Sequence, residues 1–163
     1  MADYERIQEI YAHARTTMAE AGNATQWGST FPRTSVVRDD IESGRTILLV
    51  DDDPRTGEER ILAQFALCPG DDPTYAEING AWLDNDPYVT IHRIASSGLA
   101  GHTSRDCIGW VIDHYGNVRV DTHPRNKAMQ HIVETNGFAR CGLIHLVDRT
   151  EDTVRIAYQR HEW

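Results

Sequence analysis

The chain has 163 residues, 40% of them hydrophobic and 25% charged, a length and balance that exclude a disordered polypeptide and suit one ordinary domain. Its formal net charge of −9 opposes binding to nucleic acid, which relies on Lys and Arg neutralising phosphates; a solvated acidic surface and an affinity for a cationic acceptor are both compatible with it. No apolar run approaches the ~20 residues needed to cross a bilayer, the first ten residues lack a signal-peptide core, and Cys68, Cys107 and Cys141 have no zinc-type spacing and read as reduced thiols, so the expectation is a cytoplasmic protein.

In chain order, Tyr4, Ile7, Tyr11, Ala14 and Met18 recur at steps of three and four, which predicts a helix over residues 3–20, stopped by Gly22 and Asn23. Residues 26–32 read as a loop carrying Trp27 and Phe31. Thr34 or Ser35 caps a second short helix through Ser43, closed by Gly44. The period then changes. Residues 46–50 and 61–67 are short apolar runs on either side of DDDPRTGEER, a hairpin pattern. Residues 69–87 are rich in Gly, Pro, Asp and Asn and form a long excursion, a feature that is often functional in compact domains.

Residues 89–95 predict a strand with Ile91 and Arg93 on one face and His92 and Ile94 on the other. A helix over residues 103–115 follows, with Cys107, Trp110, Val111 and His114 expected inward. Residues 118–122 are a strand. Residues 126–136 are a helix with Met129, Ile132 and Val133 inward and Gly137 as its stop. Residues 138–147 and 153–158 are two last strands turned by DRTED. Two antiparallel strands, then a right-handed β-α-β unit, then a final hairpin define an α/β (α+β) architecture: one domain over residues 1–163, a mixed sheet with helices on both faces.

Three stretches carry a family resemblance: IHRIASSGLAGHTSRDCIGW, NKAMQHIVETNGF, and the two N-terminal helices with QWGSTFP between them. Together they resemble the GNAT superfamily of N-acetyltransferases across essentially the whole chain. The resemblance implies acetyl-CoA as cosubstrate, held by the strand around Ile94, Ala95 and Ser96, by the turn and helix start at Gly101, His102, Thr103 and Ser104, and by Asn126. A helix start suits a pyrophosphate because its first N–H groups lack partners and carry partial positive charge. The sequence departs from the family turn, with Leu99, His102 and Ser104 at its characteristic places and Asp106 in the first helical turn. Where the family often has a tyrosine that protonates the leaving thiolate, this chain has Val133.

Acetyl transfer needs a neutral amine, and a lysine-like amine at pH 7 is neutral in only roughly one molecule in two thousand, so a base or a desolvated site is required. Glu77, among apolar neighbours, is the first candidate base, and Tyr158 the candidate acid; a surface carboxylate and a core tyrosine are the ordinary alternatives. Trp27, His92, Asp121 and His123 are candidate acceptor-binding residues, the last pair alternating onto one face of a strand. No metal site is expected, because the eight histidines form no ligand pattern. The expected acceptor is a small-molecule or peptide amine, with a homodimer through an exposed strand edge as a further possibility. The altered turn and Val133 leave open a catalytically weakened CoA-binding or regulatory module on the same fold.

Overall fold

In the computed structural model, which describes residues 2–162, the elements are α1 (Tyr4–Glu20), α2 (Thr34–Glu42), β1 (Thr46–Asp52), β2 (Glu59–Pro69), a 3-10 turn (Pro73–Tyr75) and β3 (Asn79–Gly80). They continue with β4 (Val89–Ser96), α3 (Thr103–Tyr115), β5 (Asn117–Thr122), α4 (Lys127–Thr135), β6 (Ala139–His145) and β7 (Val154–His161). The strands form one mixed sheet in the order β1-β2-β4-β5-β7-β6-β3. Only β4 and β5 run parallel, as expected of strands joined by a crossover helix. Among the described residues no helix is long and apolar enough to cross a membrane.

One face of the sheet packs under α3 and α4. Phe65, Ile91, Val118 and Ile156 meet Ile108 and Val133 there, and Met129 and Ile132 border the same cluster as their spacing predicts. The inward face of α3 differs from expectation. Thr103, Cys107, Ile108, Val111 and Ile112 are buried, whereas Trp110 is 41% exposed and stacks on the exposed His114 ring at 4.2 Å. Taking the tryptophan as a core anchor set the helical phase one position off; Trp110 instead covers its own helix.

The opposite face has two covers. Ile7, Ile10 and Tyr11 of α1 and Val37 of α2 pack over the β2 and β4 half, around Ile61 and Ala95. The 69–87 excursion, with the adjoining Tyr88, covers the β5, β7 and β6 half through Tyr75, Ile78 and Trp82. It is well tied down. Arg119, 4% exposed, lies between the Trp82 and Tyr88 rings at 4.0 and 3.9 Å, and its Nη2 donates to the Asp84 carbonyl at 2.9 Å. Such cation–π contacts reach about 2 kcal/mol when desolvated. The excursion also adds β3 to the edge of β6, so the last hairpin is partly covered there. Gly142 faces this pairing, and a Cβ on it would come within 2.1 Å of the Asn79 carbonyl oxygen.

The face assignment of β4 is also corrected. Between Ala66↔His92 and Gln64↔Ala95 the register slips, so β4 carries one more residue than β2. Arg93 sits in this bulge with a φ of 55°. A left-handed backbone costs a residue with a Cβ about 1–2 kcal/mol. The bulge puts Ile94 beside the core that holds Ile91, and turns Arg93 toward α2. There its Nε and Nη2 each donate to Asp40 at 2.8 Å, and Asp40, 2% exposed, also accepts from Arg45 Nε at 3.1 Å.

Asp40→Ala is therefore expected to lower unfolding free energy by about 3 kcal/mol, because it strands the largely enclosed Arg93 guanidinium, whose side chain is 16% exposed. Asp39→Ala, at the outer carboxylate of the same cluster (side chain 70% exposed), is expected to cost under about 1 kcal/mol. Urea denaturation of the two variants measures both.

Candidate active site

β4 and β5 pair only at Val89↔Val118 and Thr90↔Arg119. Beyond these positions the strands part, and from Ile91 onward β4 has no strand on its β5 side. A cavity of about 540 Å³ fills the gap. Its walls come from β4, the last residues of β5, α1, the Trp27 and Phe31 loop, and the β6–β7 turn.

Of the residues expected to hold the cosubstrate, Ile94, Ala95, Ser96, Ser104 and Asn126 line this cavity. Gly101 and His102 are exposed beside it, and Thr103 is buried with its Oγ1 donating to Ser96 Oγ at 3.1 Å. No side chain caps α3; its N-cap is His102 in a left-handed conformation, with a φ of 61°. The first N–H groups of the helix thus keep their capacity for an anion. Asp106 is exposed, as is Leu99. The glycine that the turn requires is Gly98: its φ is 82°, and a Cβ would stand 2.9 Å from His13 Nε2. Asn126 caps α4, accepting from the Met129 N–H at 3.1 Å, and its Nδ2 reaches Gln26 Oε1 at 3.2 Å, tying the α1–α2 loop to α4.

The polar centre of the cavity is assembled from three elements. His92 on β4 meets Asp72, from the excursion, through its Nε2 at 2.6 Å. Asp72 Oδ1 accepts from the Thr74 N–H at 2.9 Å, which fixes the carboxylate as the cap of the 3-10 turn. Burial pushes the Asp72 carboxyl upward, but the hydrogen bond and charge of His92 together with Thr74 outweigh it and hold the group below the ordinary range. An ionised Asp72 accepts a hydrogen bond from Nε2–H, which leaves Nδ1 as the ring nitrogen free of this pairing. Beside this pair, Tyr75 donates its hydroxyl to Asp121 Oδ2 at 2.6 Å. Burial, then the charge and hydrogen bond of Asp121, push the Tyr75 hydroxyl well above its usual range, so it stays a donor. Trp27 lines the same space, edge-on to Tyr11 with ring centroids 5.7 Å apart.

Three expectations fail on geometry. Glu77 is exposed and does not line the cavity. Tyr158 is fully buried on the other face of the sheet, and its hydroxyl donates to Glu134 Oε1 at 2.9 Å rather than opening into the cleft. His123 does not share a strand face with Asp121, because β5 stops at Thr122. Its Nδ1 accepts from the Arg125 N–H at 3.0 Å, so Nε2 carries the proton given to Asp152 at 2.9 Å. The sequence reading missed Asp72, Tyr75 and Arg155. The run Asp72-Pro73-Thr74 is a capping signal for a tight turn and could have marked Asp72 as a positioned carboxylate. Arg155, a charge inside an apolar strand, asks for a partner by itself.

A second cavity, of about 660 Å³, lies against the α2–β1 connection and the start of β4, and His92, Arg93 and Asp72 stand in its wall as well. Elsewhere, Asp84, Asp86 and His161 bring possible ligand atoms within 4.8 Å of one another. Asp84 already serves His161 Nδ1 at 2.7 Å, the Asp86 N–H at 2.9 Å and Asn117 Nδ2 at 3.3 Å.

The β4–β5 parting and the uncapped start of α3 belong to a fold that the comparisons identify. The chain has the GNAT fold and resembles the GNAT superfamily of N-acetyltransferases throughout its length. It is similar to a GNAT-family acetyltransferase from Streptococcus agalactiae, with 29% identity, a TM-score of 0.85, and 99% of this chain and 91% of that one covered. It is also similar to one from Listeria monocytogenes, at 16% identity and a TM-score of 0.68 over 98% of this chain and 90% of that one. A GNAT-superfamily phosphinothricin acetyltransferase from Sinorhizobium meliloti, solved in complex with AcCoA, matches at 13% identity and a TM-score of 0.62, covering 99% and 84%. No protein-family model and no curated protein matches the chain.

Tyr158 offers a test with a worked sign. Burial, then the hydrogen bond and charge of Glu134, push its hydroxyl up to about 12 from 10.0. The folded chain keeps this proton after the unfolded chain has lost it. The resulting stabilisation is complete below pH 10 and is lost as pH rises toward 12. Urea denaturation at pH 9 to 12 is expected to show a steeper alkaline loss for the wild type than for Tyr158→Phe.

Proposed function

We propose that the chain is an acetyl-CoA-dependent N-acetyltransferase that acetylates a primary amine of a small molecule or peptide by direct attack. The observation that carries the reading is the Asp72–His92 pair set in the wall of the β4–β5 gap. The gap itself suits the cosubstrate: a strand edge free from Ile91 onward and an uncapped α3 start with Ser104 lining the cavity. Ile94, Ala95 and Ser96 would take the pantetheine arm, and the N–H groups from Gly101 to Ser104 the pyrophosphate. Bound there, acetyl-CoA supplies an activated acetyl group.

The chain's own part is to prepare the amine. Asp121, aligned by Tyr75, accepts a hydrogen bond from the ammonium and orients it. His92 then takes its proton at Nδ1 while Asp72 balances the imidazolium through Nε2, the logic of a base oriented by a third group. Trp27 and Phe31 exclude water from the same space. A CoA thiolate has a pKa near that of an ordinary thiol, about 8.5, so it departs as an anion with little help, and the absence of a cleft-facing Tyr158 is no obstacle.

Calorimetry with desulfo-coenzyme A and thiol release from acetyl-CoA with a panel of amines test the reading. Saturable binding and amine-dependent release are expected. His92→Gln should lower kcat/KM by about 10²- to 10⁴-fold while leaving desulfo-coenzyme A affinity unchanged. Asp72→Asn should shift the acid limb of the pH–rate profile. Binding without turnover on any amine would instead make the chain a CoA-binding or regulatory module, and no binding up to millimolar ligand would overturn the proposal.

A further inference from the structure

The acceptor end of the cavity contains a buried cation whose hydrogen-bonding capacity is not filled. Arg155 of β7 is 2% exposed and forms part of the cavity wall. Its Nη1 donates to two main-chain carbonyl oxygens, of Asp152 at 2.7 Å and Val154 at 2.8 Å. Its Nη2 is buried and has no hydrogen-bond partner among the described residues. A guanidinium N–H withdrawn from water without an acceptor is costly, and such groups in native proteins call for an explanation. Nothing in the packing requires an arginine there, because its register partner on β6 is Ile144 and its neighbour on the same face is Ala157.

A second guanidinium stands nearby. Arg149, from the β6–β7 turn, lines the same cavity, donates to the Gln26 carbonyl at 2.9 Å and lies over the Phe31 ring at 5.6 Å. Burial, then the positive charge of Arg149, depress the pKa of Arg155, while Asp121, Asp152 and Asp148 act the other way. The wall around Arg155 thus carries two guanidiniums, with the carboxylates of Asp121 and Asp148 lining the same cavity.

The positions of the opposite charge complete the picture. Asp121 pairs in register with Ala157, two residues from Arg155 on the same face of β7. That makes Asp121 and Arg155 diagonal neighbours, about 7–8 Å apart at Cα. The carboxylate whose orientation suits an amine and the arginine lacking an acceptor therefore lie side by side, with His92 and Asp72 lining the same cavity.

We infer that the acceptor of the proposed acetyl transfer carries a carboxylate close to its amine, and that Arg155, assisted by Arg149, receives this carboxylate while Asp121 and His92 receive the amine. The inference rests on the acetyltransferase reading and narrows it from any amine to a zwitterionic acceptor. Guanidinium and carboxylate match as paired planar groups, so the fit is directional as well as electrostatic. The carboxylate belongs either to a free amino acid or to an acidic side chain next to a peptide's N-terminus; the chemistry at Arg155 is the same.

Matched acceptors that differ only in the carboxylate test this: leucine against isopentylamine, phenylalanine against phenethylamine, and amidated Ala-Glu-Ala against Ala-Gln-Ala. Thiol release from acetyl-CoA gives kcat/KM, and calorimetry in the presence of desulfo-coenzyme A gives acceptor binding without turnover. In at least one pair the carboxylate member is expected to be preferred by 100-fold or more, since a site built for a polar group strongly rejects the analogue lacking it. Success of the first two pairs identifies a free amino acid, and success of the third a peptide. Arg155→Met should reduce the preference to within about threefold with desulfo-coenzyme A affinity retained. Arg149→Gln, at a half-buried turn position, should reduce it partially and serves if Arg155→Met does not fold. Equal kcat/KM within every pair would overturn the inference and leave acetyl transfer standing. If no acceptor is turned over, calorimetry decides: selective binding of a carboxylate member supports the inference, and equal or absent binding overturns it.

Discussion

The Arg93–Asp40 ion pair is the contact on which the geometry of the cleft depends. It holds a non-glycine residue in a left-handed bulge, and the bulge determines which side chains of β4 face which layer. Without the extra residue, strict alternation would direct Ile94 away from the core shared with Ile91 and would place Arg93 under α3 and α4. With it, His92 and Arg93 both serve the α1–α2 side, and Ile94 to Ser96 bend along the opening from β5. A buried carboxylate bound by two arginines is a weak source of net stability, but it fixes one register against its neighbours.

The excursion between β2 and β4 does the complementary work. Its sequence is loop-like, yet it is fastened at many points: Arg119 between two aromatic rings, Asp84 shared by His161 and Asn117, and the Leu83 N–H given to Gln159 Oε1 at 2.9 Å. This anchoring gives precision to what the excursion delivers to the cavity. Asp72 positions an imidazole and Tyr75 positions a carboxylate, and both would lose their aim on a mobile loop. Charge in the cleft is consequently fixed in place: the excursion aims the Asp72 and Asp121 carboxylates, while β7 and the last turn supply the guanidiniums of Arg155 and Arg149.

Much of this was legible in the sequence. The α1 and α4 faces, the six long strands and their order follow from periodicity and stop signals, since burial on one face leaves a regular imprint. Two misreadings share a cause: pattern rules assume unbroken geometry and apolar interiors. The β4 faces were misassigned because a one-residue bulge leaves no local mark when it is paid for by a distant aspartate. The phase of α3 was misread because a tryptophan that covers its own helix looks like a core residue. The site was harder still. His92 and Asp121 were recognisable as polar residues on strands, but their partners, Asp72 and Tyr75, lie 20 and 46 residues away and are joined to them only by folding. Glu77 and Tyr158 were chosen for local sequence context, and neither the exposure of the one nor the Glu134 bond of the other has a signature in that context.

His92 and Asp72 stand in the walls of both cavities, so one hydrogen-bonded pair borders two openings of the fold. In the proposed transfer, the ring that accepts the amine's proton would therefore also border a space other than the one that holds the acceptor.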